Sequence, residues 1–271
     1  MQSPLLAELR VEPGRSAQLA KRDPDDRLGF GDKQAGGERL KELVAELSLL
    51  SNRLWAEGQR SLLLVLQGLD ASGKDSTIKH VFTGVNPQGC RVHSFKAPAG
   101  VELAHDYLWR IHAACPEHGM IGIFNRSHYE DVVTVRVRGL APEHVWKRRP
   151  AQIREFERTL TDEGTTVVKV YLNISREEQG RRLQARLENP EKAWKFRLGD
   201  LDDRARFDDY VAAYDEALAE TSTERAPWYV APADRKWVRN LAVAELLVAA
   251  LRDIDPQPPP RDPQLKGLRI D

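Results

Sequence analysis

Leu62-Leu63-Leu64-Val65-Leu66 is an unbroken apolar run that passes through Gln67 straight into Gly68-Leu69-Asp70-Ala71-Ser72-Gly73-Lys74, the pattern G-x-x-x-x-G-K. A buried strand ending in this pattern commits the chain to a tight turn whose backbone N–H groups converge on one point, with a lysine beside them. The helix expected from Asp75 onward offers its N-terminus to the same point. Such a cradle accepts phosphate, and it predicts contacts from Gly68, Ala71, Ser72, Gly73, Lys74, Asp75 and Ser76. The residue after the lysine is commonly Ser or Thr, whose hydroxyl ligates magnesium; here it is Asp75, followed by Ser76 and Thr77. Asp70 also sets a carboxylate inside the loop. A carboxylate facing phosphate directly is repelled, whereas one that meets it through Mg²⁺ is favourable, so Asp70 reads as a metal ligand. Beyond a backbone contact in the cradle, the sequence offers no role for the Asp75 carboxylate.

The rest of the chain must build a sheet around that strand. Strand-like runs recur at 62–67, 90–95, 120–125, 165–173 and 228–231, separated by helical patterns. This alternation predicts an α/β fold, a mostly parallel five-stranded sheet with helices on both faces. Ligands of such sheets bind beyond the carboxyl ends of the strands, where Gly68, Lys96 and Arg126 fall. Leu40, Leu43, Val44, Leu47, Leu50 and Leu54 recur at spacings of three and four and predict a helix packed on the core. Residues 1–36 lack apolar periodicity and carry Asp23-Pro24-Asp25-Asp26 and Gly36-Gly37 as breakers, so they read as an extension. The main domain is expected over 37–254, with a Pro-rich tail over 255–271.

With 271 residues, 41% hydrophobic, the chain suits one large domain with appendages. No apolar run approaches the roughly 20 residues that span a bilayer, and the N-terminus lacks a signal pattern, so a cytoplasmic protein without a membrane partner is expected. Cys90 and Cys115 fit neither a disulfide framework nor a metal spacing. Lys plus Arg equals Asp plus Glu, at 41 each, which gives no warrant for nucleic-acid binding. Local charge is uneven: Arg136, Arg138, Lys147, Arg148, Arg149, Arg154 and Arg158 face only Glu143, Glu155 and Glu157 over the same stretch. Such a stripe suits either an anionic ligand or a solvated helix face.

A second strand end is crowded with polar groups: Asn125-Arg126-Ser127-His128-Tyr129-Glu130-Asp131. Arg126 offers a planar fork to phosphate. Asp131 or Glu130 supplies the second-strand carboxylate that completes a Mg²⁺ site in phosphate-loop enzymes, or both simply favour the start of the next helix. His128 reads as structural. After the strand ending at Asn173, Ser175 and Glu178 form a capping box, and Arg182 and Arg186 share a helix face beside Arg181. Lys192, Trp194, Lys195 and Arg197 follow a Pro-marked break. Residues 175–206 therefore read either as a cationic lid that closes over bound phosphates or as an ordinary charged surface hairpin.

Together these segments resemble the polyphosphate kinase 2 family over about residues 36–254. The carriers are Gly68–Asp75, Ser94-Phe-Lys-Ala-Pro98, His105-Asp-Tyr-Leu-Trp-Arg110, Asn125–Asp131, Asn189-Pro-Glu-Lys-Ala-Trp-Lys-Phe196 and Ala226-Pro-Trp-Tyr-Val230. The Asn125–Asp131 and Lys192–Lys195 segments are the specific ones; the phosphate loop is shared by many kinases. The resemblance implies a P-loop kinase-like three-layer sandwich with a helical lid. It also implies phosphate transfer between inorganic polyphosphate and AMP or ADP. In that setting Asp70 and Asp131 hold Mg²⁺, with Mn²⁺ able to take its place, and Lys74 lies on the transferred group. Arg126, Arg182, Arg186, Lys192 and Lys195 hold polyphosphate, and Asp106 and Glu130 lie on the nucleotide side. By analogy the protein is a homo-oligomer, a dimer or tetramer. Two readings compete: an ATP-dependent nucleoside monophosphate or small-molecule kinase, and a non-catalytic phosphate-binding regulator.

Overall fold

A computed structural model describes residues 4–267 and 269–270. Met1–Ser3 of the expected extension, and Leu268 and Asp271 of the expected tail, lie outside the described residues. The sheet comprises β1 (Arg10–Val11), β2 (Ser61–Gln67), β3 (Cys90–Ser94), β4 (Ile121–Asn125), β5 (Thr165–Asn173) and β6 (Trp228–Pro232), in the order β1-β6-β5-β2-β4-β3. The last five are the expected strands, all mutually parallel. The expected count of five is corrected to six. β1 is a two-residue antiparallel edge, with Val11 opposite Trp228. So short a strand has no period to read. It is held by burial of Val11 and by the Ser222 hydroxyl, which donates to the Val11 carbonyl at 2.6 Å. Leu6, Leu9, Ala17 and Leu19 join the core, so part of the N-terminal segment is packed against the sheet.

Strand register brings the functional loops together. Leu66 lies opposite Asn125, and Asn125 opposite Ser94, so β2, β4 and β3 end side by side. Gly68, Arg126 and Lys96 consequently emerge at one edge, the carboxyl side of a parallel sheet. Every residue of β2 is buried, as expected of a strand covered on both faces.

The longer helices are α1 (Lys33–Glu57), α2 (Lys74–Val81), α3 (Arg149–Asp162), α4 (Arg176–Glu188), α5 (Gly199–Ala205), α6 (Phe207–Thr221) and α7 (Lys236–Ile254). α7 packs on α1, α2 and β5, forming one layer, while α3 packs on β5 and α6 to form another. The periodic leucines of α1 deliver Leu43, Leu47, Leu50 and Leu54 to the core. Gly36 and Gly37, expected as breakers, lie inside α1 instead. The side chain of Asp32 caps this helix by accepting from the Ala35 N–H at 2.9 Å. A Cβ at Gly36 would sit 2.4 Å from the Trp237 ring, so glycine is kept there for close helix packing. α7 ends at Ile254, where the expected tail begins. Among the described residues no helix is long and apolar enough to cross a membrane.

Candidate active site

The phosphate loop connects β2 to α2, and its shape depends on left-handed backbone at Gly68 (φ 146°), Ala71 (φ 66°) and Gly73 (φ 106°). Positive φ is nearly free for glycine and strained for alanine, which needs outside support at Ala71. That support is Arg182 of α4. Its guanidinium donates to the carbonyls of Ala71 and Ser72, both at 3.0 Å, to those of Ala233 and Asp234, and to Glu178 at 2.6 Å. Arg182 is thus spent on the loop, a finding that modifies its expected use as a direct polyphosphate ligand. α4 starts with half of the expected capping box: Ser175 accepts from the Glu178 N–H at 3.1 Å, but the Ser175 N–H donates to Asp234 at 2.8 Å, because the Glu178 carboxylate is taken by Arg181 and Arg182.

Lys74 is buried and folded back, donating to the Gly68 carbonyl at 2.5 Å and to that of Leu69 at 3.2 Å. Burial, and then the Arg126 charge, lower its pKa to about 8, against the opposing pull of Asp70, Glu130 and Asp75. Asp70 forms an ion pair with Arg126, whose own backbone sits at φ 63°. Burial acts to raise the Asp70 pKa, but Arg126 and Lys74 together hold it below the usual range. Glu130 is the strongest influence raising the Arg126 pKa, and it accepts from the Thr134 hydroxyl at 2.7 Å. Glu130 therefore acts on the Lys74–Arg126 pair, in a setting apart from its neighbour Asp131.

Asp131 lies between Arg149 at 3.6 Å and Arg110 at 3.8 Å, while Arg149 also donates to its carbonyl at 2.5 Å. Burial raises its pKa against both guanidinium groups. Its Oδ2 is buried without a hydrogen-bond partner, an orphan acceptor of the kind a hard cation satisfies. Among the described residues no cluster of three or more His, Cys, Asp or Glu could hold a metal alone. A cation that keeps several waters and shares phosphate oxygens needs few protein carboxylates, and Asp70 and Asp131 both line the cleft. The turn that carries Arg126 to Asp131 is anchored from below. The Tyr129 hydroxyl donates to Glu157 at 2.8 Å, and Lys169 donates to Glu157 at 2.6 Å and to the Thr221 carbonyl at 2.7 Å, all buried. His128 is buried in this core, 3.5 Å from Glu157.

The Asp75 carboxylate, without a role in the sequence, ties three elements together. It accepts from Asn125 of β4 at 2.7 Å and pairs with Lys195 at 3.4 Å, so one side chain links the loop, the second strand end and the 175–206 segment. Arg186 pairs with Asp200 of α5 at 3.5 Å, and Lys192 faces the same cleft. Asp106 is not among the cleft-lining residues. It is exposed and accepts from the Leu108 N–H at 2.9 Å in a local turn, beside the stacked rings of His105 and Trp109.

These groups surround a cleft of about 1010 Å³ lined by thirteen lysines and arginines against six aspartates and glutamates. The whole chain balances 41 of each sign, so the cation excess is concentrated at one place. Residues 31–259 match the family described as Polyphosphate kinase 2 (PPK2). The chain belongs to the polyphosphate kinase 2 family. It is 54% identical over 255 residues to an AMP/ADP-polyphosphate phosphotransferase of Meiothermus ruber, covering 94% of this chain and 96% of that one. It is 41% identical to an ADP-polyphosphate phosphotransferase of Rhodopseudomonas palustris, covering 91% and 90%. The crystal structure of Polyphosphate Kinase 2 from Arthrobacter aurescens TC1 superposes with a TM-score of 0.91 at 45% identity, covering 96% of this chain and 93% of that one.

Within this polyphosphate kinase 2 chain, the sequence reading missed Arg110, Arg138 and Arg239 as individual cleft residues, and Arg149 as the partner of Asp131. Arg110 stood in a quoted motif without a role. Arg138 and Arg149 were noted only as members of the basic stripe, most of which turns elsewhere: Arg136 pairs with Glu216, and Arg158 with Glu155 and Asp162. Arg138 lines the cleft and is held by Asp203. Arg239 had one signal, the one charged residue among the buried positions of α7 from Val238 to Leu251.

Proposed function

We propose that the protein transfers a phosphoryl group between inorganic polyphosphate and AMP or ADP. The observation that carries this reading is the thirteen-cation cleft floored by a phosphate loop in a neutral protein, a shape suited to a long polyanion. The names of the similar enzymes support both nucleotide acceptors. In this reading the terminal phosphate oxygen of the nucleotide attacks the end phosphorus of polyphosphate in line. The new P–O bond forms as the bond to the shortened chain breaks, and the electron pair leaves with that chain. The nucleophile is already anionic, so no general base and no covalent intermediate are required. The work of the protein is to hold two polyanions together and offset their repulsion.

Lys74 lies on the transferred group, and Arg126 and the 175–206 cations hold the chain, with Arg182 acting through the loop. Asp70 and Asp131 would hold Mg²⁺, or Mn²⁺ in its place, which when bound neutralises phosphate charge. Glu130, beside Lys74 and Arg126 in the cleft, would face the nucleotide side; Asp106, exposed outside the cleft, is left without that role. The segment 175–206 serves as a lid that excludes water during transfer. The enzyme works in the cytoplasm as a homo-oligomer, independent of nucleic acid and membrane. Incubating it with Mg²⁺, long-chain polyphosphate and AMP or ADP, and following nucleotide products, tests the reading. ADP and ATP should form without any added nucleoside triphosphate; a strict need for ATP as donor would sink it.

A further inference from the structure

Arg239 is fully buried, yet all of its acceptors are neutral. It donates to the Ser72 carbonyl at 3.1 Å, to the Ser76 hydroxyl at 3.3 Å and to Asn240 at 2.9 and 3.3 Å. Burial, and then the nearby Arg182 charge, lower its pKa to about 9, so it remains a cation at neutral pH. A buried charge lacking an opposite partner is costly, and a fold does better with an apolar side chain there. The contact is close: a Cβ on Gly73 would fall 1.8 Å from Arg239 Nη1, so the loop glycine leaves room for this guanidinium as well as for its own turn.

The Ser72 carbonyl takes donors from both Arg182 and Arg239. A trans peptide is planar, with its C=O and N–H on opposite sides. Fixing the Ser72 oxygen toward the two arginines therefore turns the Gly73 N–H away from them, to the side of the phosphate cradle. We propose that Arg239 is a positioning residue for polyphosphate: with Arg182 it locks the Ser72–Gly73 peptide in its anion-accepting orientation, and the bound polyphosphate is its counter-ion. The residue acts through the loop, not on the reacting atoms. The inference rests on the loop being the polyphosphate cradle proposed above.

The test is calorimetric binding of tripolyphosphate in the absence of nucleotide, with the KM of each substrate and the melting temperature alongside. Arg239→Met should weaken tripolyphosphate binding about tenfold, the scale of one charge-assisted hydrogen bond, and raise the KM for polyphosphate similarly. The nucleotide KM should stay within about twofold, and melting should hold or rise as the unpaired charge is removed. Arg239→Lys, which keeps the charge but not the fork, should fall between. If Arg239→Met does not fold, Arg239→Lys decides. Tripolyphosphate binding within about twofold of wild type in the folded variant overturns the proposal. So does a lower melting temperature with both KM values raised together, the mark of a purely structural brace. Lys74→Ala run in parallel separates the two failures. If it leaves tripolyphosphate binding intact, the loop is not the cradle. If it abolishes binding while Arg239→Met does not weaken it, only this inference falls.

Discussion

The floor and the cover of the cleft are both cationic, but they are built differently. On the floor, Lys74 and Arg239 are buried and Arg182 nearly so, and all three donate to loop carbonyls before any ligand arrives. Over the cover, Lys192 and Trp194 are exposed, the latter at 76%, and the Ala193–Lys195 turn reaches the loop through the Lys195–Asp75 pair. The contrast separates two ways of meeting a polyanion. Fixed donors cost little reorganisation at the moment of reaction and carry the transition state. Exposed cations gain their order from the ligand and contribute mainly to capture and release.

The largest effects should therefore come from the floor. Lys74→Ala is expected to lower turnover on the order of 10² to 10³-fold or more, the scale seen when one pre-set electrostatic donor is lost, with a native circular dichroism spectrum and melting curve. Turnover near that of wild type would dissolve the distinction between floor and cover. Asp131→Asn keeps the shape but removes the charge between Arg110 and Arg149. Its activity should fall roughly 10²-fold and need more Mg²⁺ for half-maximal rate. A fall with unchanged metal dependence would make Asp131 a structural partner of the two arginines.

The pH response sharpens the same comparison. Lys74 is a cation whose folded pKa, about 8, lies below its ordinary 10.5. Between those values the unfolded chain binds more protons than the folded one, so the empty fold gains stability as pH rises through this window. Below about 8 the buried charge costs stability, and phosphate relieves that cost. Polyphosphate binding should thus take up protons near pH 8 and weaken above it, as read by calorimetry in buffers of different ionisation enthalpy. Lys74→Met should lose the uptake; uptake that persists belongs to another group.

How much of this was written in the sequence follows from the same physics. Periodicity and the Gly68–Lys74 pattern are local, so five strands, the capped helix at Ser175 and the loop were readable residue by residue. β1 was not, because a two-residue edge depends on Trp228 and Ser222, more than two hundred positions away. Gly36-Gly37 misled for a related reason: a glycine at 36 answers to the close approach of Trp237 on α7, two hundred positions away, and not to a break in the helix. In the site, residue types identified Asp70, Lys74, Arg126 and Asp131 as candidates. They did not reveal how the charges are shared. Arg182 is consumed by loop carbonyls, Asp70 by Arg126, and the separate settings of Glu130 and Asp131 depend on which arginines fold beside each.

The smallest effect, and the most direct probe of the cover, is at the Asp75–Lys195 pair. Lys195 is about two-fifths exposed and Asp75 about two-thirds, so solvent screens them and the pair alone is worth ~1 kcal/mol or less. Lys195→Ala should therefore reduce kcat/KM for polyphosphate only about two- to fivefold, without a change in melting temperature. Asp75→Asn should cost more, because Asp75 also accepts from Asn125 and so joins the loop to the end of β4. The double variant decides what the pair does. If Asp75 and Lys195 act together as the tie between cover and floor, the double variant will be no worse than Asp75→Asn alone, and raising the salt concentration will shrink the Lys195→Ala effect. Additive losses would mean that Lys195 meets polyphosphate by itself while Asp75 only braces the loop, and the cover would then reach the floor through the ligand rather than through Asp75.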